Sequence, residues 1–382
     1  MRKFKTVFMR GGTSKGCLFK KEDLPSDRSQ WDDIFLQVMG CPDPKQIDGM
    51  GGTVSSNNKI VIIWKSDEPN VDIEYLVGQV IVGKRQVDYK SNCGNMTAAV
   101  PAFCVEEGMV EIKEPVTKVR MLNKNTDKYI NVDVPIDPET HTFAQDGECE
   151  IAGVDGTAAE LKVDFLNPAG AKTGKLLPTG NVIDVLDIPG LGKIESTIID
   201  VSNPIVLVRA EDIGMKGTEL PEQINSNKEV MEILEKIRGT ACVMMGFAKD
   251  LKEATDNQPG VPKVGFVTYP ASFTDIEDHE VSESKMDICA RVISVFKCHK
   301  AIPLTAASSV STAAFLEGTI VNKIAPIKDG QTTVRIGHPS GVMTMVPTVL
   351  KNGDNPADYT VPGVAVQRTA RRIMDGFVYI RN

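Results

Sequence analysis

Apolar residues recur at helical spacing in two places. Trp31, Ile34, Phe35 and Val38 stand at i, i+3, i+4 and i+7, and Gly40 follows them. Val230, Ile233, Leu234 and Ile237 repeat the spacing, with Gly239 just beyond. The pattern predicts two amphipathic helices, each stopped by its glycine, whose stripes are core faces. Apolar runs bounded by Gly, Asn or Pro predict strands at Lys59–Trp64, Val71–Val82, Thr197–Val208, Lys263–Thr268 and Ala290–Phe296.

Two further stretches are small and apolar without a polar face. Met96 to Val105 follows the strand-like Gln86-Val87-Asp88-Tyr89 and exits at Glu107-Gly108. The second follows Arg291–Val295, runs through Pro303-Leu304-Thr305-Ala306-Ala307 and Thr312–Phe315, and exits at Glu317-Gly318. A helix apolar all round is a buried one. Pro101 falls inside the first and predicts a kink. The repeated order predicts an α+β chain of two pseudo-symmetric halves, each a sheet wrapped around one central helix. We expect the first half to span 1–185, the second 186–369, and a tail from about 370 to 382 to return to the first.

Composition narrows the function classes. The chain has 382 residues, 41% of them hydrophobic, and a formal net charge of -8. That length suits two domains, and that apolar content excludes a disordered chain. No Lys/Arg cluster stands out, which argues against a nucleic-acid partner. Runs such as Ile60 to Trp64 are too short to span a membrane. The eight cysteines are dispersed without a CxxC pair, and the four histidines show no ligand spacing, so no metal is expected. Dispersed thiols and a start, Met1–Phe4, that does not read as a secretory signal predict a cytoplasmic protein.

The most informative run is Tyr89-Lys90-Ser91-Asn92-Cys93-Gly94-Asn95. It sets a thiol at the mouth of the first buried helix, where free N–H groups and the dipole favour a thiolate. The competing reading is a buried structural cysteine. At the second helix mouth the matching feature is Thr305, not a thiol. Arg10-Gly11-Gly12-Thr13-Ser14-Lys15-Gly16 follows a strand and offers glycines, hydroxyls and cations for an anion; a plain turn is the alternative. Lys59 opens an apolar strand after the glycine-rich Asp48–Thr53, which suits either proton transfer or a lysine snorkelling at a strand end. Gly337-His338-Pro339-Ser340-Gly341 ends another strand with groups able to clamp a carboxylate. Asn167–Gly170 and Leu177–Asn181 read as ordered connectors.

Together, Met9–Gly16, Gln46–Gly52, Asn92–Asn95, Leu177–Asn181 and Gly337–Gly341 resemble the PrpF-type isomerases in order along nearly the whole chain. That family includes 2-methylaconitate cis–trans isomerase, 3-methylitaconate isomerase, oxalomesaconate tautomerase and aconitate isomerase. The resemblance implies a diaminopimelate epimerase-like fold, with β-barrel-like halves and the active site in the cleft between them. It implies Cys93 and Lys59 as the proton-transfer groups. It implies substrate carboxylates held by Thr13, Ser14 and the His338, Ser340 and Gly341 loop. Lys15, Asn92, Gly94, Asn95 and Thr305 complete the expected binding set. Diaminopimelate epimerases use one cysteine per half, and Thr305 departs from that pattern.

The expected activity is therefore cofactor-independent isomerisation of an unsaturated di- or tricarboxylate, by removal and return of a proton. An amino-acid epimerase or racemase of the same fold is the alternative enzyme, and a non-catalytic carboxylate-binding protein the alternative class. The expected partner is a small polycarboxylate. The particular acid, the choice of base between Cys93 and Lys59, and a homodimer stay open.

Overall fold

The computed structural model describes residues 1–90 and 93–381. It comprises two compact units: residues 1–166 with 367–382, and residues 167–366.

In the first unit, β1 (Arg2–Gly11), β2 (Ser14–Lys20), β3 (Lys59–Lys65), β4 (Ile73–Val80), β5 (Val87–Asp88), β6 (Val116–Asn123), β7 (Lys128–Asp137), β8 (Thr142–Phe143) and β9 (Leu161–Leu166) join two helices, α1 (Trp31–Met39) and α2 (Gly94–Glu106). The C-terminal strand Ala370–Ile380 pairs antiparallel with β1. From there the main ladder runs β1, β2, β3, β4, β6, β7, β9, parallel at β2–β3 and β4–β6 and antiparallel elsewhere. α2 lies against β1, β2, β3, β7, β8, β9 and the C-terminal strand. Every residue from Met96 to Val105 is buried, so helix amides and apolar side chains fill the unit's interior together. Pro101 does not end this helix, which continues past it to Glu106. α1 ends at Gly40, whose left-handed φ of 78° is the expected glycine stop. Its apolar stripe packs with Phe4, Phe19 and Ile62 in one core.

The second unit contains β10 (Asp184–Ile188), β11 (Gly192–Val201), β12 (Asn203–Arg209), β13 (Lys263–Thr268), a small pair β14 (Phe273–Thr274) and β15 (Glu280–Val281), β16 (Ile288–Ser294), β17 (Lys297–Cys298), β18 (Val334–His338), β19 (Gly341–Leu350) and β20 (Thr360–Arg368), whose last two residues belong to the first unit. Its helices are α3 (Pro221–Ser226), α4 (Lys228–Met244), α5 (Leu251–Asn257), α6 (Leu304–Ala314) and α7 (Ile320–Ile324). The ladder runs β10, β11, β12, β13, β16, β18, β19, β20, parallel at β12–β13 and β16–β18. That order of parallel and antiparallel joints repeats the first unit's, strand for strand. α6 lies against β11, β12, β18 and β19, with residues 306–314 buried. The expected α+β repeat, one buried helix wrapped by sheet, is present in each unit.

Four details differ from the expectations. Residues 167–185 group with the second unit, because Asp184 to Ile188 pair with β11 and Asn167 donates to the Pro362 carbonyl. Thr197–Val208 is two strands: Ser202 adopts φ 65° and turns the chain between β11 and β12. Ala290–Phe296 stops at Ser294, since Val295 and Phe296 both have positive φ and form the turn into β17. Gly239 does not stop α4, which continues to Met244. A Cβ there would sit 3.0 Å from Leu251 Cδ2, so the glycine serves the packing of α4 on α5.

Candidate functional site

The Gly-rich segment folds as a tight hairpin. Gly11 faces Ser14 across β1 and β2, leaving Gly12 and Thr13 as the two-residue turn. Gly12 needs φ 50°, and a Cβ on it would collide with the Asn95 side-chain oxygen. A Cβ on Gly11 would come within 2.5 Å of the Asn95 carbonyl oxygen. The two glycines thus let the tip press onto the first turn of α2. Asn95 Nδ2 donates to Thr13 Oγ1 at 2.8 Å and to Ser14 Oγ at 3.4 Å. Both hydroxyl oxygens accept, so each hydroxyl keeps its proton for another acceptor.

The tip is not the open anion nest that its sequence suggested. Gly12 N–H donates to the Thr369 carbonyl at 2.9 Å. Arg10 Nη1 donates to the Gly12 carbonyl at 3.0 Å and to the Thr369 hydroxyl at 2.9 Å. The arginine braces the turn. Lys15 alternates to the strand face opposite Ser14, with its ammonium 5.9 Å from the Phe8 ring centre.

Cys93 is the N-cap of α2, half-buried and in extended backbone conformation. Its side chain makes no capping bond. Its carbonyl accepts from Thr97 N–H at 3.0 Å and Thr97 Oγ1 at 3.1 Å, and Thr97 Oγ1 is 2.8 Å from the Tyr75 hydroxyl. The thiol therefore projects from a fixed backbone at the positive end of a buried 13-residue helix. Gly94 is the first helical residue. Asn92 lies outside the described residues.

Lys59 faces Gly16 across the parallel β2–β3 joint. A Cβ on Gly16 would collide with the Lys59 carbonyl, so this glycine permits the close strand approach. The half-buried ammonium of Lys59 donates to Gln79 Oε1 on β4, directly opposite in register. Gln79 Nε2 donates in turn to the carbonyls of Ser55, Asn58 and Val80, which fixes its oxygen towards the lysine. The first unit thus gathers Thr13, Ser14 and Asn95 at the Cys93 helix mouth and holds Lys59 on the strand beside Gly16.

In the second unit, His338 pairs with Gly341 and leaves Pro339 and Ser340 as the turn of β18 and β19. His338 is buried. Ser340 N–H donates to His338 Nδ1 at 3.2 Å, and the Ser340 hydroxyl donates to the Lys300 carbonyl, just before α6. Thr305 is the second residue of α6; the position matching Cys93 is Pro303. Among the described residues, no three His, Cys, Asp or Glu side chains converge as metal ligands, and no helix is long and apolar enough to cross a membrane.

The sequence reading missed Gln79, Thr97 and Arg368. Gln79 was findable, since pairing Lys59 to Lys65 with Ile73 to Gln79 as a hairpin sets it opposite Lys59. Arg368 ends β20, two residues beyond the apolar run Val364-Ala365-Val366, and only the fold brings it towards Cys93.

The first unit wraps a helix with a free thiol at its N-cap, and the second repeats the topology with Pro303 in that place. The family model for PrpF protein matches residues 1–381, and the chain belongs to the PrpF family. It is 41% identical to the 3-methylitaconate isomerase of Eubacterium barkeri, covering 98% of this chain and 96% of that one. It is 39% identical to the 2-methyl-aconitate isomerase of Shewanella oneidensis, covering 99% and 97%. A crystal structure of methylitaconate-delta-isomerase matches with TM-score 0.89 at 39% identity, covering 99% of this chain and 96% of that one.

Proposed function

We propose that this protein is a cofactor-independent isomerase of an unsaturated di- or tricarboxylate of the methylitaconate or methylaconitate kind. Family membership and the names of its relatives support the reaction class. The observation that carries the site is Cys93 at the α2 N-cap, beside hydroxyls whose oxygens are already engaged by Asn95.

A carbon acid next to a conjugated carboxylate loses a proton to one of Cys93 and Lys59. The electron pair spreads into the carboxylate as a dienolate. The other group, or the same one after rotation, returns a proton at the far end of the allyl system or at the same carbon. Positioned acid–base groups each contribute about 10²–10⁴-fold. Thr13 and Ser14 donate to the carboxylate on which charge develops, and the helix end adds its field. In the same reading Gly94, Thr305, His338, Ser340 and Gly341 serve substrate binding, while Asn95 orients the Thr13 and Ser14 hydroxyls.

Incubation with methylitaconate, methylaconitate and aconitate in D₂O, followed by NMR, tests the proposal. Deuterium entering the recovered acid together with double-bond movement is the expected result. Tight binding with no exchange for any of these acids would replace the isomerase with a carboxylate-binding protein.

A further inference from the structure

Arg368 ends β20 and belongs to the same compact unit as Cys93. Its side chain is half-buried, with Nε shut away from solvent and without a hydrogen-bond partner. Among the described residues its one hydrogen bond runs from Nη1 to the adjacent Gln367 carbonyl at 2.9 Å. Among the described residues no carboxylate pairs with it; Cys93 and Cys149 lie close enough that a thiolate at either would favour its charge. Burial pulls the guanidinium down from its ordinary value to about 10.

An enclosed cation without a carboxylate is costly. Its position is nevertheless fixed. The next residue, Thr369, is buried and accepts from Gly12 N–H and Arg10 through its carbonyl, at 2.9 and 3.2 Å. The end of β20 is thereby stitched to the hairpin tip that carries Thr13 and Ser14. Among the described residues one guanidinium nitrogen, Nη2, has no partner to release before it meets an anion.

We infer that Arg368 is a substrate-binding residue, whose Nη2 takes the carboxylate of the substrate at the reacting carbon beside Cys93. This rests on the proposed isomerase reading for the identity of the anion. Charge delocalised into that carboxylate during proton removal then falls on a guanidinium rather than on water, while Thr13 and Ser14 hold it from the tip.

The test compares alkylation of Cys93 by iodoacetate, an anion, and iodoacetamide, its neutral analogue. Rates are read by peptide mass mapping in wild type, Arg368→Met and Arg368→Lys. Dividing the two rates cancels any change in thiol reactivity and leaves the preference for an anion beside Cys93. We expect the ratio to fall about tenfold in Arg368→Met and to be largely kept in Arg368→Lys, in line with a hydrogen bond to a charged group. An unchanged ratio in Arg368→Met overturns the assignment. Should that variant fail to fold, Arg368→Gln takes its place with the same two outcomes. In turnover, Arg368→Met should raise KM for the diacid about tenfold, and the monoamide lacking the conjugated carboxylate should show no such rise; an equal rise for both also overturns it. If no protein turns over any unsaturated diacid, the isomerase reading falls, and the alkylation ratio still decides the role of Arg368.

Discussion

Asn95, in the first turn of α2, donates its side-chain amide to the hydroxyl of Thr13 at the hairpin tip, 2.8 Å away and 82 residues earlier in the chain. This bond joins the segment that bears the thiol to the segment that bears the hydroxyls. It also orients the Thr13 hydroxyl, since an oxygen that accepts from Asn95 directs its own proton elsewhere.

Asn95→Ala should therefore disorient Thr13 and Ser14 without removing a group that touches substrate. Ser14→Ala removes one donor outright. A hydrogen bond to a charged group contributes roughly 1.5–3 kcal/mol, so Ser14→Ala should weaken substrate binding about ten- to a hundredfold. Titration followed by NMR gives both affinities. Equal affinity of wild type and Ser14→Ala would return the tip to a plain structural turn.

Cys93→Ala should abolish deuterium exchange while the protein still unfolds cooperatively on heating. A positioned acid or base supplies about 10²–10⁴-fold, so the residual rate should fall by at least the lower figure. Activity within tenfold of wild type would remove Cys93 from proton transfer.

The thiol's setting was legible in the sequence because it is local. An Asn-Cys-Gly-Asn run, an apolar stretch without a polar face and a Glu-Gly exit lie within 20 residues, and they specify a buried helix with Cys93 at its mouth. The repeat was legible for the same reason. What the sequence hid is non-local or depends on backbone choices that composition does not signal. Ser202 and Val295 adopt positive φ without being glycine, so two turns lay concealed inside apolar runs. Gly239 looked like a stop and is a packing contact. Arg10 and Lys15 looked like anion ligands, but cross-strand pairing turned one into a brace and sent the other to the opposite face. Arg368 is 275 positions from Cys93, a separation no spacing rule spans.

Lys59→Ala should reduce kcat by orders of magnitude with a smaller change in KM. Gln79→Leu separates position from presence: the ammonium remains but loses the oxygen that holds it. An intermediate loss of kcat is expected, checked by steady-state kinetics on both variants. A pure KM defect in Lys59→Ala would make it a carboxylate anchor instead.

Activity should survive EDTA treatment and desalting, since the proposed chemistry uses only side-chain acids, bases and hydrogen-bond donors. Restoration of a lost rate by an added divalent metal would contradict the cofactor-independent mechanism.

Gly16→Ala tests the scaffold beneath Lys59. Gly16 pairs with Lys59 across β2 and β3, and an added Cβ would collide with the lysine's backbone carbonyl and its Cβ. Backbone cannot swing aside as a flexible side chain can, so one of the two strands must shift. Overpacking of this kind costs roughly 1–3 kcal/mol, which denaturant unfolding will measure. The shift also moves the ammonium away from Gln79, and misplacement by about 1 Å costs on the order of 10²-fold in rate. Gly16→Ala should therefore lose both stability and kcat, although the residue has no side chain to take part in chemistry. Stability loss with full kcat would mean that Lys59 is not held by this strand contact, and its place in the proton transfer would lose its structural basis.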